Sequence, residues 1–225
     1  KPVVVHALEA FQASPLIDEI ILMTDAQHVG YCSREMIPAY ELSKVSTVGA
    51  GGSERYESVW KALCTVMDRD EKEDEGLWAD RKNGYVFIHD GARPFVTTDI
   101  IARAYEDVCR WDACVVGMPV KDTIKRVDEK GFVVDSPNRS LIWQAQTPQV
   151  FSVPLITKAF ERQLREDCTH VTDDAMVVEA QMGVRVHMTN GSYENIKITT
   201  PEDLLIAEAI LKKKDKKSVD FCRNT

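Results

Sequence analysis

The sequence predicts an α/β protein whose mainly parallel sheet is covered by helices on both faces. Short apolar runs rich in β-branched residues alternate with stretches of helical periodicity, an order typical of such sheets. The composition, 44% hydrophobic and 28% charged, suits one globular domain over residues 1–225. No apolar run approaches the ~20 residues of a membrane-spanning helix, so we expect no membrane partner.

The predicted elements follow one another in a regular order. The strands share β-branched or aromatic apolar runs and are expected over 19–23, 45–48, 85–88, 113–118, 184–188 and 195–199. The helices share a period near 3.6 residues and are expected over 3–12, 33–42, 53–68, 98–110, 153–166, 173–182 and 201–213. Ser53 is expected to cap its helix, and Thr200 the last one. The dense charge run over 68–84 predicts a solvated loop.

Residues 120–146 interrupt this alternation. They show no helical period, and Val127 and Phe132 flank the turn sequence Asp128-Glu129-Lys130-Gly131, which is typical of a β-hairpin. A hairpin inserted into an α/β domain has exposed strand edges. Pairing with a second copy of the chain would cover those edges. The segment is therefore predicted to be an arm that forms a homodimer.

The charge balance disfavours two classes of partner. Lys and Arg together number 28 against 36 Asp and Glu, which gives a net charge of −8. Nucleic acids and anionic membranes both need a basic face, although a local basic pocket for a small anion is still allowed. The six cysteines contain no CxxC pair and predict reduced thiols of a cytoplasmic protein rather than metal ligands.

The strongest candidate for chemistry follows the strand at 85–88. Asp90 and Arg93 come directly after it, and ligands of parallel sheets bind beyond the carboxyl ends of the strands. Asp90 could hold Mg²⁺ or a sugar hydroxyl, and the planar guanidinium of Arg93 could clamp a phosphate. On spacing alone, a plain Asp-Gly turn with a surface ion pair is about equally good an interpretation.

Three further candidates are weaker by themselves. Gly51-Gly52-Ser53 opens a helix and could bind an anion or the edge of a base, but a plain loop explains it as well. Lys197 is predicted on a strand just before a helix, and the alternative is a surface lysine lying along apolar groups. Thr172-Asp173-Asp174 precedes a helix, and helix capping explains it fully.

Six motifs, however, occur together in one order. They are GGSER at 51–55 with Ser58, HDGARP at 89–94, PVKDTIK at 119–125, QTPQVF at 146–151, TDDA at 172–175 and NIKIT at 195–199. This ordered set resembles the 2-C-methyl-D-erythritol 4-phosphate cytidylyltransferase family over about residues 1–212. Most of the motifs are also similar to those of ribitol-5-phosphate cytidylyltransferase, which is therefore the alternative.

The resemblance implies a Rossmann-like nucleotidyltransferase sheet with a projecting arm that interlocks a homodimer. It implies the transfer of a cytidylyl group from CTP to an alcohol phosphate, with Mg²⁺ as the cofactor. The residues that it implies at the cytosine are Gly52, Ser53 and Ser58. Those implied around the sugar phosphates are Asp90, Arg93, Thr147, Thr172 and Lys197. Those implied to reach the partner's site from the arm are Thr123 and Arg139.

One part of the family pattern is not found in residues 1–225. The family begins with a strand and a glycine-rich loop, Ala-Ala-Gly-x-Gly-x-Arg, that cradles the triphosphate. The strand is central to the sheet, and its loss would leave two neighbours with unpaired backbone groups. We therefore expect about 25–35 further residues upstream, the size of a βα unit. A non-catalytic nucleotide-binding dimer is the alternative if the loop is truly absent.

Overall fold

The computed structural model describes residues 1–67, 83–166, 168 and 170–223, the last ten of these as backbone only. The helices are α1 Val3–Ala13, α2 Val29–Tyr31, α3 Ile37–Ala39, α4 Arg55–Met67, α5 Thr98–Trp111, α6 Val153–Gln163, α7 Asp174–Met182 and α8 Pro201–Arg223. The strands are β1 Ile20–Thr24, β2 Val45–Ala50, β3 Tyr85–Ile88, β4 Ala113–Pro119, β5 Arg126–Val127, β6 Val133–Asp135, β7 Trp143–Ser152 and β8 His187–Asn190. Of the loop predicted over 68–84, residues 68–82 lie outside the described part of the chain.

The predicted α/β architecture with mostly parallel strands is confirmed. β1 and β2 pair in parallel, and a second sheet has the order β3-β7-β4-β8. β4 and β8 are parallel, whereas β7 runs antiparallel to both of its neighbours, so β3, β4 and β8 share one direction. The direction of β7 follows from the arm, because the chain leaves the sheet at the end of β4 and returns beside it.

The core lies on both faces of the second sheet. In β4, Cys114 and Val116 pack with helices α1 and α5 on one face. Ala113 and Val115 pack on the other face with α4, α6 and α7. This alternation is the two-residue period of a strand buried on both sides, and it explains why β4 appears in the sequence as a continuous apolar run.

A deep cleft separates the two sheets. It has a volume of about 1000 Å³ and is lined by every residue of β1 and of β3, with apolar side chains of α1 and α4 on its two sides. β1 is hydrogen-bonded to β2 and β3 to β7, so each has one edge without a partner strand among the described residues.

Two of the predicted strands need correction. The strand expected at 184–188 lies at 187–190, and residues 195–199 do not form a strand. The backbone of this segment does not make the regular hydrogen bonds of a strand pair. Its bond to a distant part of the backbone runs from the Ile198 N–H to the Ala92 carbonyl oxygen (2.8 Å). The side chain of Asn195, which is fully buried, donates to the Thr147 carbonyl oxygen at 2.9 Å and fixes the segment by a side-chain bond instead.

The hairpin in the arm is confirmed. β5 and β6 are antiparallel, and the Asp128 carboxylate accepts hydrogen bonds from the backbone N–H groups of Lys130 and Phe132. Gly131 has a φ of 85°, a left-handed conformation that glycine adopts without strain. The arm is exposed, and so are five of its large apolar side chains: Val127, Phe132, Val133, Val134 and Leu141. No helix among the described residues is both long and apolar enough to cross a membrane.

Candidate functional site

Asp90 and Arg93 stand together just beyond the carboxyl end of β3. The Arg93 N–H donates to the Asp90 carbonyl oxygen at 2.9 Å, which closes a tight turn. Both side chains are largely buried, with about 15% of each exposed. The rigid strand beneath them fixes their place, and the position at the end of β3 is the one that the sequence predicted.

Three cations surround the Asp90 carboxylate. Arg55 Nε lies 3.1 Å from one oxygen, and Lys197 Nζ lies 3.0 Å from the other. Arg93 Nε is 3.9 Å from the oxygen that contacts Lys197. The structure thus brings Lys197 together with Asp90 and Arg93, although the sequence had placed the lysine on a different motif from the other two. Lys197 is thus an ion-paired cation whose side chain is 43% exposed.

Arg55 is the member of this group that sequence reasoning missed. It is the first residue of α4, and its two Nη atoms contact the two carboxylate oxygens of Asp174, at 2.9 and 2.6 Å. Asp174 is the first residue of α7 and its side chain is 1% exposed. The pair joins residues 119 positions apart, so no local pattern could have indicated it. We call Arg55, Asp90, Arg93, Asp174 and Lys197 the Asp90 cluster.

The charged groups of the Asp90 cluster stabilise one another's ionised forms. Burial acts to raise the pKa of Asp90, but the hydrogen bond from Lys197 and the charge of Arg55 outweigh it, so the net effect is a lowered pKa. Burial acts to lower the pKa of Arg55, but the hydrogen bonds and the charge of Asp174 act in the opposite direction. The net effect is a raised pKa. Asp90 is therefore a carboxylate at neutral pH. The three cations share two carboxylates, which leaves one positive charge in excess beside the crevice.

The Arg93 guanidinium is only partly satisfied. One of its Nη atoms donates to the Asn195 carbonyl oxygen at 3.0 Å. Its Nε is buried and has no hydrogen-bond partner among the described residues, and the same holds for Oδ1 of Asn195. An unpaired buried donor on a cation costs free energy until it is satisfied. The Nε faces the Asp90 carboxylate at 3.9 Å, beyond hydrogen-bond distance, so the guanidinium keeps unused donor capacity.

The loop before α4 is organised by its own side chains. The Ser53 backbone and hydroxyl donate to the Glu57 carboxylate at 2.7 and 2.9 Å, and these bonds lower the pKa of Glu57. The prediction that Ser53 caps the helix as an acceptor is therefore wrong, because Glu57 is the acceptor. The Gly52 N–H donates to Ser58 Oγ at 3.0 Å, and a Cβ on Gly52 would clash with Glu57. This loop follows the end of β2 and leads directly to Arg55.

The other predicted site residues divide into two groups. Thr147 is buried beside Asp90, whose N–H donates to its hydroxyl oxygen at 3.1 Å, and Thr172 is exposed just before α7. Thr123 and Arg139 are exposed and lie at the base of the arm, where Arg139 donates to the Lys121 carbonyl oxygen at 2.9 Å. The start of α8 is held by Asp203, which accepts from Thr199 and Thr200, rather than by the hydroxyl of Thr200.

The donor set does not fit a preformed magnesium site. Both Asp90 oxygens face cations, and Asp174 is bound to Arg55 through both of its oxygens. Within the described residues, no group of three or more His, Cys, Asp or Glu side chains converges as metal ligands would. A divalent cation prefers oxygen ligands without competing positive charge. Magnesium stays a prediction from the resemblance.

An α/β domain with a cation-rich crevice at the carboxyl end of a strand belongs to the broad class of α/β proteins that bind phosphorylated ligands there. The family model for 2-C-methyl-D-erythritol 4-phosphate cytidylyltransferase matches residues 1–213. The chain belongs to this family.

Named relatives and solved structures agree with this. The protein of that name from Lachnospira eligens is 42% identical over 213 residues, covering 94% of this chain and 87% of the relative. The one from Alkaliphilus metalliredigens is 43% identical, with 94% and 81% covered. The crystal structure of 4-diphosphocytidyl-2C-methyl-D-erythritol synthase from Anaerococcus prevotii has a TM-score of 0.77 at 28% identity, covering 93% of this chain and 86% of that one. The enzyme from Thermus thermophilus has a TM-score of 0.71, also at 28% identity, with 93% and 89% covered.

Proposed function

We propose that this protein transfers the cytidylyl group of CTP to 2-C-methyl-D-erythritol 4-phosphate, giving the CDP-alcohol and pyrophosphate. The observation that carries the proposal is the Asp90 cluster: three cations with a net positive charge stand where the ligands of such sheets bind. Both substrates are polyanions that repel each other. A site that brings them together therefore needs more positive than negative charge, despite the −8 of the whole chain.

The proposed reaction is a substitution at phosphorus. An oxygen of the alcohol phosphate attacks the α-phosphorus of CTP, a new P–O bond forms, and the bond to the β-phosphate bridging oxygen breaks. Pyrophosphate leaves with that electron pair. A phosphate monoester has a second pKa near 6 and is largely dianionic at pH 7, so the attack needs no general base. Catalysis then consists of positioning and charge neutralisation.

We assign positioning and charge neutralisation to different residues of the site. Arg93 has an unpaired Nε and a planar guanidinium suited to bidentate contact, so we assign it to the alcohol phosphate. Lys197, with 43% of its side chain exposed, is assigned to phosphate charge that develops during transfer. Asp90 and Arg55 hold these cations apart from each other and oriented. The loop Gly52, Ser53 and Ser58 is assigned to the cytosine, and Thr172 to the sugar phosphates.

The arm is proposed to form a homodimer and to complete the partner's site. Its large apolar side chains, among them Phe132 and Leu141, are 70% and 77% exposed, and a second subunit would bury them. Thr123 and Arg139 lie on the same arm and are proposed to reach the partner subunit's substrate. Sedimentation velocity at micromolar concentration should give a dimer, and Phe132→Asp should give a monomer with little activity. A wild-type monomer refutes this part of the proposal.

The function itself is tested with the full gene product. CTP is supplied with 2-C-methyl-D-erythritol 4-phosphate or with ribitol 5-phosphate, and the CDP-alcohol and pyrophosphate are followed by ³¹P NMR. Transfer to the first alcohol supports the proposal. Transfer to ribitol 5-phosphate alone means that ribitol 5-phosphate is the substrate instead. CTP binding without transfer to either alcohol indicates a non-catalytic nucleotide-binding dimer. Repeating the assay with and without Mg²⁺ tests the cofactor. A cytoplasmic location is likewise a proposal.

A further inference from the structure

His89 lies behind the Asp90 cluster and is bonded on both sides of its ring. It is the first residue after β3, and its ring packs edge-on against Phe11, with 5.1 Å between the centroids. Its Nε2 is 3.0 Å from the Arg93 carbonyl oxygen, and its Nδ1 is 3.0 Å from Thr147 Oγ1. The same Thr147 oxygen is 3.1 Å from the Asp90 backbone nitrogen.

These contacts determine which atom carries the proton in each of the three hydrogen bonds. A carbonyl oxygen only accepts, so His89 Nε2 carries a proton and donates it to Arg93. Burial lowers the pKa of His89 to about 4, so the ring is neutral at pH 7 and Nδ1 is an acceptor. Thr147 must then donate its hydroxyl proton to Nδ1. The Asp90 N–H can only donate, and the Thr147 oxygen accepts from it.

We propose that His89, as the neutral Nε2-protonated tautomer, is a positioning residue that acts through Thr147 on the turn from Asp90 to Arg93. It is bonded directly to the carbonyl of Arg93 and, through the Thr147 hydroxyl, to the N–H of Asp90. Both ends of the turn that carries these two side chains are therefore held by one ring. The turn sets where the Asp90 carboxylate meets its three cations.

A consequence concerns Thr147, which the resemblance places at the sugar phosphates. Thr147 is 3% exposed, and its single hydroxyl proton is given to His89. A phosphate dianion has only acceptors and gains nothing from a hydroxyl whose proton is already engaged. We infer that Thr147 is not a phosphate ligand and that it acts on catalysis only through the Asp90 turn. The inference about Thr147 rests on the proposed function, because that function identifies the ligand. The tautomer of His89 is independent of the proposed function.

The tautomer is tested directly by NMR. In ¹⁵N-histidine-labelled protein at neutral pH, the two-bond spectrum of the ring should show a protonated Nε2 and an unprotonated Nδ1 for His89. The chain has five histidines, and the signal missing in His89→Gln assigns the right one. A protonated Nδ1, or a ring averaged between both tautomers, overturns the proposal. This measurement needs no substrate, so it separates failure of the proposal from failure of the proposed function.

Kinetics distinguish positioning from direct contact. Thr147→Val should lower kcat about tenfold while changing the KM of the alcohol phosphate less than about threefold, because the lost bond orients the turn and does not touch the ligand. Thr147→Ser keeps the hydroxyl and should restore most of kcat. His89→Gln should lower kcat to a similar extent, and the double variant should be no worse than either single one, since both act through one chain of bonds.

A matched control is Thr157→Val on α6. Thr157 is also buried, and its hydroxyl has no partner among the described residues, so this variant should leave kcat and KM unchanged. The opposite pattern overturns the proposal: Thr147→Val raises the KM of the alcohol phosphate at unchanged kcat, and His89→Gln has no effect. Thermal unfolding of each variant identifies a loss of activity that reflects unfolding. If a variant does not fold, the NMR measurement on the wild type decides.

Discussion

The Asp90 cluster and the arm both carry residues implied for the same reaction, but they are built in opposite ways. In the cluster, four separate parts of the chain meet in largely buried ion pairs. In the arm, the pair of Arg126 and Asp135 joins residues close in sequence, and their side chains are 68% and 48% exposed. One chain therefore forms the cluster completely, whereas the arm leaves its apolar side chains in water.

The two regions therefore differ in how much their ion pairs can stabilise a single subunit. Exposed ion pairs are worth little, because water screens them and their side chains lose freedom when they pair. Buried pairs depend strongly on both partners, since removing one leaves an uncompensated charge in the protein interior. We therefore expect the Arg55–Asp174 pair of the cluster to be sensitive to single substitutions in an isolated chain, and the arm to become sensitive only when a partner covers it.

The largest expected effect is on stability, from Asp174→Asn. This change removes the bidentate partner of Arg55 and leaves the guanidinium only its contact with Asp90, which should lower the free energy of unfolding by about 3 kcal/mol, the lower end for a broken buried pair. The matched control in the arm is Asp135→Asn, which breaks the exposed pair with Arg126 and should cost less than about 1 kcal/mol. Urea denaturation measures both. Equal losses for the two variants would remove the distinction between the regions.

The next effect is on catalysis, from Lys197→Ala. A charge-assisted hydrogen bond to phosphate is worth roughly 1.5–3 kcal/mol, so kcat/KM should fall by about 10- to 150-fold. The free energy of unfolding should change little, because the side chain of Lys197 is 43% exposed. Lys158→Ala, at an exposed position on α6, is the control and should be silent. An unchanged rate in Lys197→Ala means that the lysine serves only to balance Asp90.

A smaller and more selective effect is expected from Arg93→Lys. The charge remains, but the planar arrangement of donors that binds a phosphate bidentately is lost. The KM of the alcohol phosphate should rise, and the KM of CTP should stay nearly the same. Steady-state kinetics with each substrate varied in turn give the two values. If the KM of CTP shifts and that of the alcohol phosphate does not, the two halves of the crevice are assigned the wrong way round.

The smallest effect is on acid stability, through Asp90. Lys197 and Arg55 lower its pKa in the folded protein below the ordinary value of 3.8, even though burial acts in the opposite direction. Ionised Asp90 therefore stabilises the fold above about pH 4, and this contribution is lost as the pH falls through the lowered value. The difference in unfolding free energy between wild type and Asp90→Asn should be constant near neutral pH and shrink in acid. A difference that grows in acid contradicts the ionised cluster.

Most of the order of the elements and the location of the crevice could be predicted from the sequence. The run at 85–88 is a strand with the predicted bounds, because four consecutive apolar residues between polar neighbours fit a strand buried on both faces. Asp90 and Arg93 could be placed at its end for the same reason. The hairpin of β5 and β6 could be predicted from the missing helical period and the glycine-closed turn, both of which are local properties.

The contacts of those residues could not be predicted from local sequence patterns. The pairing of Arg55 with Asp174, the bond of Thr147 to His89 and the irregular segment that carries Lys197 all join distant parts of the chain. The alternation of Ile196 and Ile198 favours a strand, but the buried amide of Asn195 and a single backbone bond to Ala92 hold that segment instead. Periodicity reports which face of an element is apolar. It carries no information about which distant charge will complete a buried site, because that depends on how the whole sheet brings its strand ends together.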